Sequence, residues 1–431
     1  MSVPRPATRP APDSTVPLRY LVAAALAFVL AAAGVVWLAR ELSGHYYHPR
    51  LAALTHTVTL GWITLAMMGA SYQLVPMLLG RPIWSERLAR WQFAMLVAGV
   101  VGLAAHFYIA EFSGMLWAAG IVGAGIGAHA VNVAVSLRGL ARVTFTVRLF
   151  AMGLAGLVLT LGFGALLATD RVVKIVPAAG FFPTLHAHFH LALLGWVMPV
   201  VLGVAARVYP VFLLAGEPAG WAGHAQLWGL LLGVPTLTLG ILASPALVRV
   251  GALLVASAVA GNAAWVLEIV RSRRRPALDW GLRFVLTGAA FLLPASALGL
   301  GLAFDVVGGP RPTLAYVALA LGGWISLTIV GMMLKIVPVL VWYRVYAPHI
   351  GRTQAPPLKE LGWPAVEGLA WWLLTGGMVG LAAALAAGNA WWIGAAGTVV
   401  TLGALAFAAT LAAALHHLSP HAARAAGAGA R

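Results

Sequence analysis

The chain has 431 residues, 61% of them hydrophobic and 9% charged, a net charge of +16 and no cysteine. Soluble domains carry roughly 25% charged residues, so this composition excludes a water-soluble enzyme or binding module. The basic excess does not call for nucleic acid, because the positive-inside bias of membrane proteins accounts for it. Without cysteine, thiolate iron–sulfur clusters and covalent c-type haem attachment are excluded, and any metal must be held by His, Met, carboxylate or backbone.

Residues 1–17 are Pro-rich and polar and are expected to form a disordered cytoplasmic tail. The apolar run after them is too long for the core of a cleavable signal and is read as a first span. From there apolar runs of about 20 residues recur, each able to cross a hydrocarbon core of roughly 30 Å as a helix. Spans are predicted at 18–40, 50–79, 91–111, 115–137, 147–169, 184–214, 223–244, 248–270, 282–304, 313–343, 366–387 and 391–417. The fold class is therefore all-α: a polytopic membrane protein with about twelve transmembrane helices in one domain, 18–417. A second cytoplasmic tail, 418–431, comes after it. The longest connection, 344–365, is expected to lie at the interface.

Three of these spans repeat one pattern. HTVTLGWITLAMMGASYQLVP, HLALLGWVMPVVLGVAARVYP and ALALGGWISLTIVGMMLKIVP each carry Gly-Trp, a glycine 7 residues after the Trp and a proline 14 after it. The triplets are Trp62/Gly69/Pro76, Trp196/Gly203/Pro210 and Trp324/Gly331/Pro338, and Trp-to-Trp separations of 134 and 128 residues correspond to four spans. Spans 2, 6 and 10 are thus predicted to be equivalent, in three four-helix units (18–138, 147–271, 282–417) around a pseudo-threefold axis. Four spans is an even number, so the repeats are parallel, unlike the inverted repeats of many transporters.

Histidines concentrate on this pattern. His56 and His190 lie 6 residues before their Trp, where the third repeat has Ala318. Ionisable residues inside a membrane are costly and mark function. Two imidazoles at matched depth suit a six-coordinate haem iron, and hydrogen-bonding to a neighbouring helix is their plainer role. His186 shares a helix face with His190, and His188 points roughly the other way. These two, together with His106 and His129 on spans 3 and 4, are candidate ligands for copper or a second metal site. Arg50 is a candidate partner for a haem propionate.

HFHLALLGWVMPVVLGVAARVYP resembles the His-x-His helix of heme-copper oxidase catalytic subunits, closest to the C-type branch. HTVTLGW…GASYQLVP is similar to a helix of NnrS-type membrane proteins, which are implicated in handling nitric oxide. The resemblance implies haem b and copper as cofactors, with His190 and His56 as low-spin haem ligands and His188 as a high-spin haem ligand. It also implies electron transfer, or oxygen or nitric oxide chemistry, with an electron-donor protein or quinol as partner. The His-x-His of that family sits on span 10 and its copper-binding His-His pair opens span 7. Here His-x-His is on span 6 and only His224 lies near span 7. Two other functions stay open: a copper or small-solute transporter entered through the outer histidines, and a haem-handling assembly factor for a respiratory oxidase. The bilayer itself and further copies of the chain complete the expected partners.

With the N-terminus inside, inner segments hold 19 of the 27 Lys and Arg residues, and outer segments hold Arg40, Arg50, Arg171, Lys174, Arg249 and Arg311. This bias predicts an inner-membrane protein with both termini cytoplasmic. A single cysteine introduced in the 271–275 loop of this cysteine-free chain should react with an impermeant maleimide only after cells are permeabilised. Labelling of intact cells would reverse the topology.

Overall fold

The computed structural model describes residues 14–80, 82–140, 142–215, 220–350 and 355–419. The outer parts of both expected tails lie outside the described residues, as do Arg5, Arg9, Arg81, Arg352, Arg424 and Arg431 of the inner basic set. About 85% of the structure is helical, with no β-strand among the described residues. Twelve helices are long and apolar enough to cross a membrane, and the chain is a multi-pass membrane protein. They are α1 (Thr15–Trp37), α2 (Pro49–Met77), α3 (Glu86–Ile109), α4 (Met115–Ser136), α5 (Phe145–Val173) and α6 (Ala178–Leu213). They continue as α7 (Trp221–Ala243), α8 (Pro245–Ser272), α9 (Trp280–Ala303), α10 (Pro310–His349), α11 (Pro364–Ala387) and α12 (Ala390–His416).

The predicted boundaries hold to within a few residues, and the misses have local causes. Helix α1 begins at Thr15, so the last residues of the expected N-terminal tail are helical, with Val16 and Pro17 buried. Helices α3 and α9 start earlier than hydropathy suggests because polar caps carry them outward. Ser85 accepts from the Leu88 N–H, and Asp279 from the Leu282 N–H. A side-chain oxygen of this kind satisfies one of the orphan N–H groups of the first turn. In the 344–365 connection, two short 3₁₀ turns (Ala347–His349 and Leu358–Glu360) flank the undescribed stretch, and Trp342 Nε1 donates to Pro356 O at 2.8 Å.

Each helix packs on its neighbours in sequence, and α12 closes the ring against α1. The antiparallel pairs α1/α2, α5/α6 and α9/α10 and the pairs α3/α4, α7/α8 and α11/α12 make the most extensive contacts, so the same neighbour relations recur every four spans. Exposed tryptophans gather at the two ends of the bundle: Trp37, Trp117, Trp391 and Trp392 at one, Trp84, Trp91, Trp221 and Trp363 at the other. Indole rings favour the headgroup level of a bilayer, where one edge is apolar and the other wet.

The helices carrying the repeat are the most buried. Each contains a π-helical stretch over its Gly-Trp: Thr57–Thr64, Leu191–Val197 and Ala318–Ser326. Trp62, Trp196 and Trp324 are at most 2% exposed. The repeat glycine marks a close helix crossing. A Cβ on Gly69 would fall 2.5 Å from Tyr20 Cβ of α1, on Gly203 3.1 Å from Leu149 Cβ of α5, and on Gly331 2.4 Å from the Gly281 carbonyl oxygen of α9. Small residues let transmembrane helices approach this closely. Gly331→Ala should therefore cost about 1–3 kcal/mol, because a backbone oxygen cannot swing away. Gly120→Ala, with open space around it, should leave stability unchanged. Thermal unfolding of both variants in detergent checks the contrast, and equal midpoints would refute the crossing.

Candidate functional site

The π-helical stretches place histidines on a common space. One cavity of about 1160 Å³ opens among α1, α2, α5, α6 and α10. That exceeds the roughly 300–1,000 Å³ of ordinary small-molecule sites. Its wall is mostly aliphatic, and its polar groups are few. His45, Tyr46, Tyr47, His48, Arg171 and His186 ring the mouth, with His56, His188, His190 and Tyr316 below them.

His56 and His190 immediately precede the π-helical stretches of their helices. In each, Nδ1 lies 2.8 Å from the carbonyl oxygen four residues back, Ala52 for His56 and His186 for His190. A carbonyl can only accept, so Nδ1–H donates, and in the neutral ring Nε2 keeps its lone pair. His188 reaches a different element but does the same, donating from Nδ1 to the Thr160 carbonyl of α5 at 3.1 Å. Donation of one ring N–H to a backbone carbonyl is how metal-binding histidines fix tautomer and ring plane. Three cavity-lining imidazoles are held in this state. His186 differs, because its Nε2 is engaged by the Tyr46 hydroxyl at 3.1 Å.

The rings do not all face the same way. His56 stacks on Phe107 of α3 (centroids 5.0 Å, interplanar 16°). His190 stacks on Tyr316 of α10 (6.2 Å, 19°). Tyr316 stands 8 residues before Trp324, as His188 stands 8 before Trp196. The His190–Tyr316 contact therefore joins position −6 of one repeat to position −8 of the next. One repeat earlier, the same relation joins His56 to His188. The remaining pair, Ala318 and Leu54, also lines the cavity.

The expected metal set of His186, His188, His106 and His129 does not converge. His106 closes the α3–α4 turn, with Nδ1 2.8 Å from the Glu111 carbonyl and the ring beneath Gly114. His129 is fully buried within α4, edge-on to Tyr72 at 5.3 Å and to Trp196 at 6.2 Å, with neither ring nitrogen hydrogen-bonded. Among the described residues, no three His, Asp or Glu side chains come together as a metal site. Arg50 does not line the cavity. It pairs with Glu41 at 3.1 Å and lies over the Tyr108 ring.

Sequence reasoning passed over Tyr316 and the mouth residues Tyr46, Tyr47 and Arg171. Tyr316 was within reach, at the −8 repeat position. The mouth residues have no periodic signal, since loops and helix ends bring them together. Lys335 pairs with the Asp279 carboxylate and lies over the Phe212 ring.

An unbonded buried imidazole contributes desolvation cost and no compensating bond, and an apolar group of like size is tolerated or preferred there. His129→Leu should keep the thermal midpoint and the contents of the cavity. A lowered midpoint would show a hydrogen-bonded role for His129.

No protein-family model matches this chain and no curated protein matches it, so the work of the cavity has to be argued from its own side chains.

Proposed function

We propose that this chain is a b-type haem protein of the membrane, acting in electron transfer or in the handling of nitric oxide or oxygen. The observation that carries the proposal is a large, mostly apolar cavity into which imidazoles from two helices face with Nδ1 already committed and Nε2 left for a metal. Haem iron takes two such axial ligands, and the protein tunes it through axial identity, burial and hydrogen bonding around it. When bound, the haem supplies reversible one-electron chemistry and an iron that small gases can ligate. The residues of this chain fix the ligand geometry and exclude water.

His56 and His188 are proposed as the axial pair. The sequence alone favours His56 with His190, because those two share a repeat position. Their surroundings favour the offset pair, since His190 is stacked on Tyr316 of α10 and the same repeat relation carried one repeat earlier pairs His56 with His188. His190 is then the candidate ligand for a second haem or a copper. The arrangement of α1–α4, α5–α8 and α9–α12 as three units about a pseudo-threefold axis belongs to the same proposal. It is supported by the three π-helical stretches and by packing relations that recur every four spans.

A metal or solute transporter would need a polar path or a convergent ligand cluster, whereas the cavity wall is mostly aliphatic and, among the described residues, no three His, Asp or Glu side chains converge. The optical spectrum decides between the two. Purified protein should be red, with a Soret band and a low-spin reduced-minus-oxidised difference spectrum. His56→Ala and His188→Ala should each convert it to high spin or lose the haem, and His190→Ala should keep the low-spin signal. Loss in His190→Ala with retention in His188→Ala would restore the in-register pair. A colourless protein would overturn the haem reading.

A further inference from the structure

We infer that Arg171 is the carboxylate anchor of the cavity, its guanidinium and the Tyr47 hydroxyl receiving the acidic edge of the ligand at the outer mouth. Among the described residues, Arg171 is the one Arg or Lys on the cavity wall. It lies in the last turn of α5 and is held by aromatic groups from three other segments. Its guanidinium carbon sits 5.2 Å from the Tyr47 ring centroid, 5.4 Å from that of Phe112 and 5.2 Å from that of Phe181, and it donates to the Tyr47 hydroxyl. No described carboxylate forms an ion pair with it. The adjacent Asp170 accepts from the Val176 N–H at 2.8 Å. The acid that the cavity wall does contain, Asp305, is paired with Arg249 at 3.1 Å.

The chain thus holds a cation beside an apolar space with aromatic rings and one phenol as its described compensation. Cation–π contacts offset part of the desolvation of a guanidinium, and they also fix its plane. A fixed guanidinium without a carboxylate partner is suited to bidentate, charge-assisted hydrogen bonds with a planar carboxylate. Lysine would offer a point charge without that fork. A ligand with acidic groups along one edge would lie with that edge outward at Arg171 and its apolar body among the aliphatic side chains below. Arg50, the expected anchor, does not line the cavity and pairs with Glu41.

The inference rests on the haem reading for the identity of the ligand, and its test separates the two. Haem-depleted full-length protein in detergent is titrated with ferric protohaem, which carries two propionates, and with its dimethyl ester, which has the same ring and iron and no acid. Wild type should bind protohaem about tenfold or more tighter than the ester, as the loss of a charge-assisted pair implies. Arg171→Leu should bring protohaem down to the level of the ester and leave ester binding within about twofold. Arg171→Lys should fall between, and Tyr47→Phe should show a smaller loss of discrimination. The thermal midpoint of each variant without ligand, compared with wild type, separates misfolding from lost recognition. If Arg171→Leu folds and weakens both porphyrins equally, or if both Arg171 variants still discriminate as wild type does, the anchor is refuted while the haem reading stands. If wild type binds neither porphyrin, the haem reading falls and the anchor with it.

Discussion

Inside a bilayer no water is available to satisfy a polar group, so every N–H and C=O must find its partner within the protein. The same constraint acts on each buried side chain. Thr57, Thr59, Thr160 and Thr238 turn their hydroxyls back to the carbonyl four residues earlier, and His56 and His190 do likewise with Nδ1. For threonine this is an end in itself. For histidine it satisfies one ring nitrogen and leaves the other, in the neutral ring, an unshared acceptor facing whatever the cavity holds. The economy that keeps the helices stable is thus also what readies their imidazoles.

The spans are legible in the sequence because hydrocarbon thickness imposes a length that hydropathy alone reads. The repeat is legible because each repeated residue has a fixed steric duty. Gly69, Gly203 and Gly331 sit where the first helix of each four-span set crosses, and no larger residue could be substituted there unnoticed. The π-helical stretches are not legible. They change helix phase by one residue, and no residue type is required for it. That hidden step limits face arithmetic on these helices, since a regular 100° step counted through Thr57–Thr64 or Leu191–Val197 misplaces every residue beyond the stretch. The direction His190 faces is hidden for a related reason: only packing against Tyr316 settles it.

Charge positions are the least legible part of the site. Arg50 and Arg171 both read as outer-side arginines. Glu41, nine residues earlier on a short helix, takes Arg50 to the surface. Arg171 has no described acid paired with it and is enclosed by Tyr47 and Phe112, brought in from the α1–α2 and α3–α4 connections, and by Phe181 at the start of α6. Sequence separation hides such an enclosure, because Arg171 and Tyr47 are 124 positions apart in the chain. What distinguishes the two arginines is the company that the loops provide.

The three offset pairs around the cavity differ only in their side chains. One repeat relation is furnished with His and His, the next with His and Tyr, the last with Ala and Leu. The Gly, Trp and Pro of the repeat are kept in all three, so the backbone plan tolerates any of these furnishings. The repeat's backbone plan therefore does not require histidine at these places, although His188 also joins α6 to α5 through the Thr160 carbonyl. Burying imidazole in two of three interchangeable places costs desolvation that alanine and leucine avoid, and the third place shows that the fold does without it. Under the proposed haem reading, what imidazole adds at these two places, and alanine and leucine do not, is a ring nitrogen left for a metal.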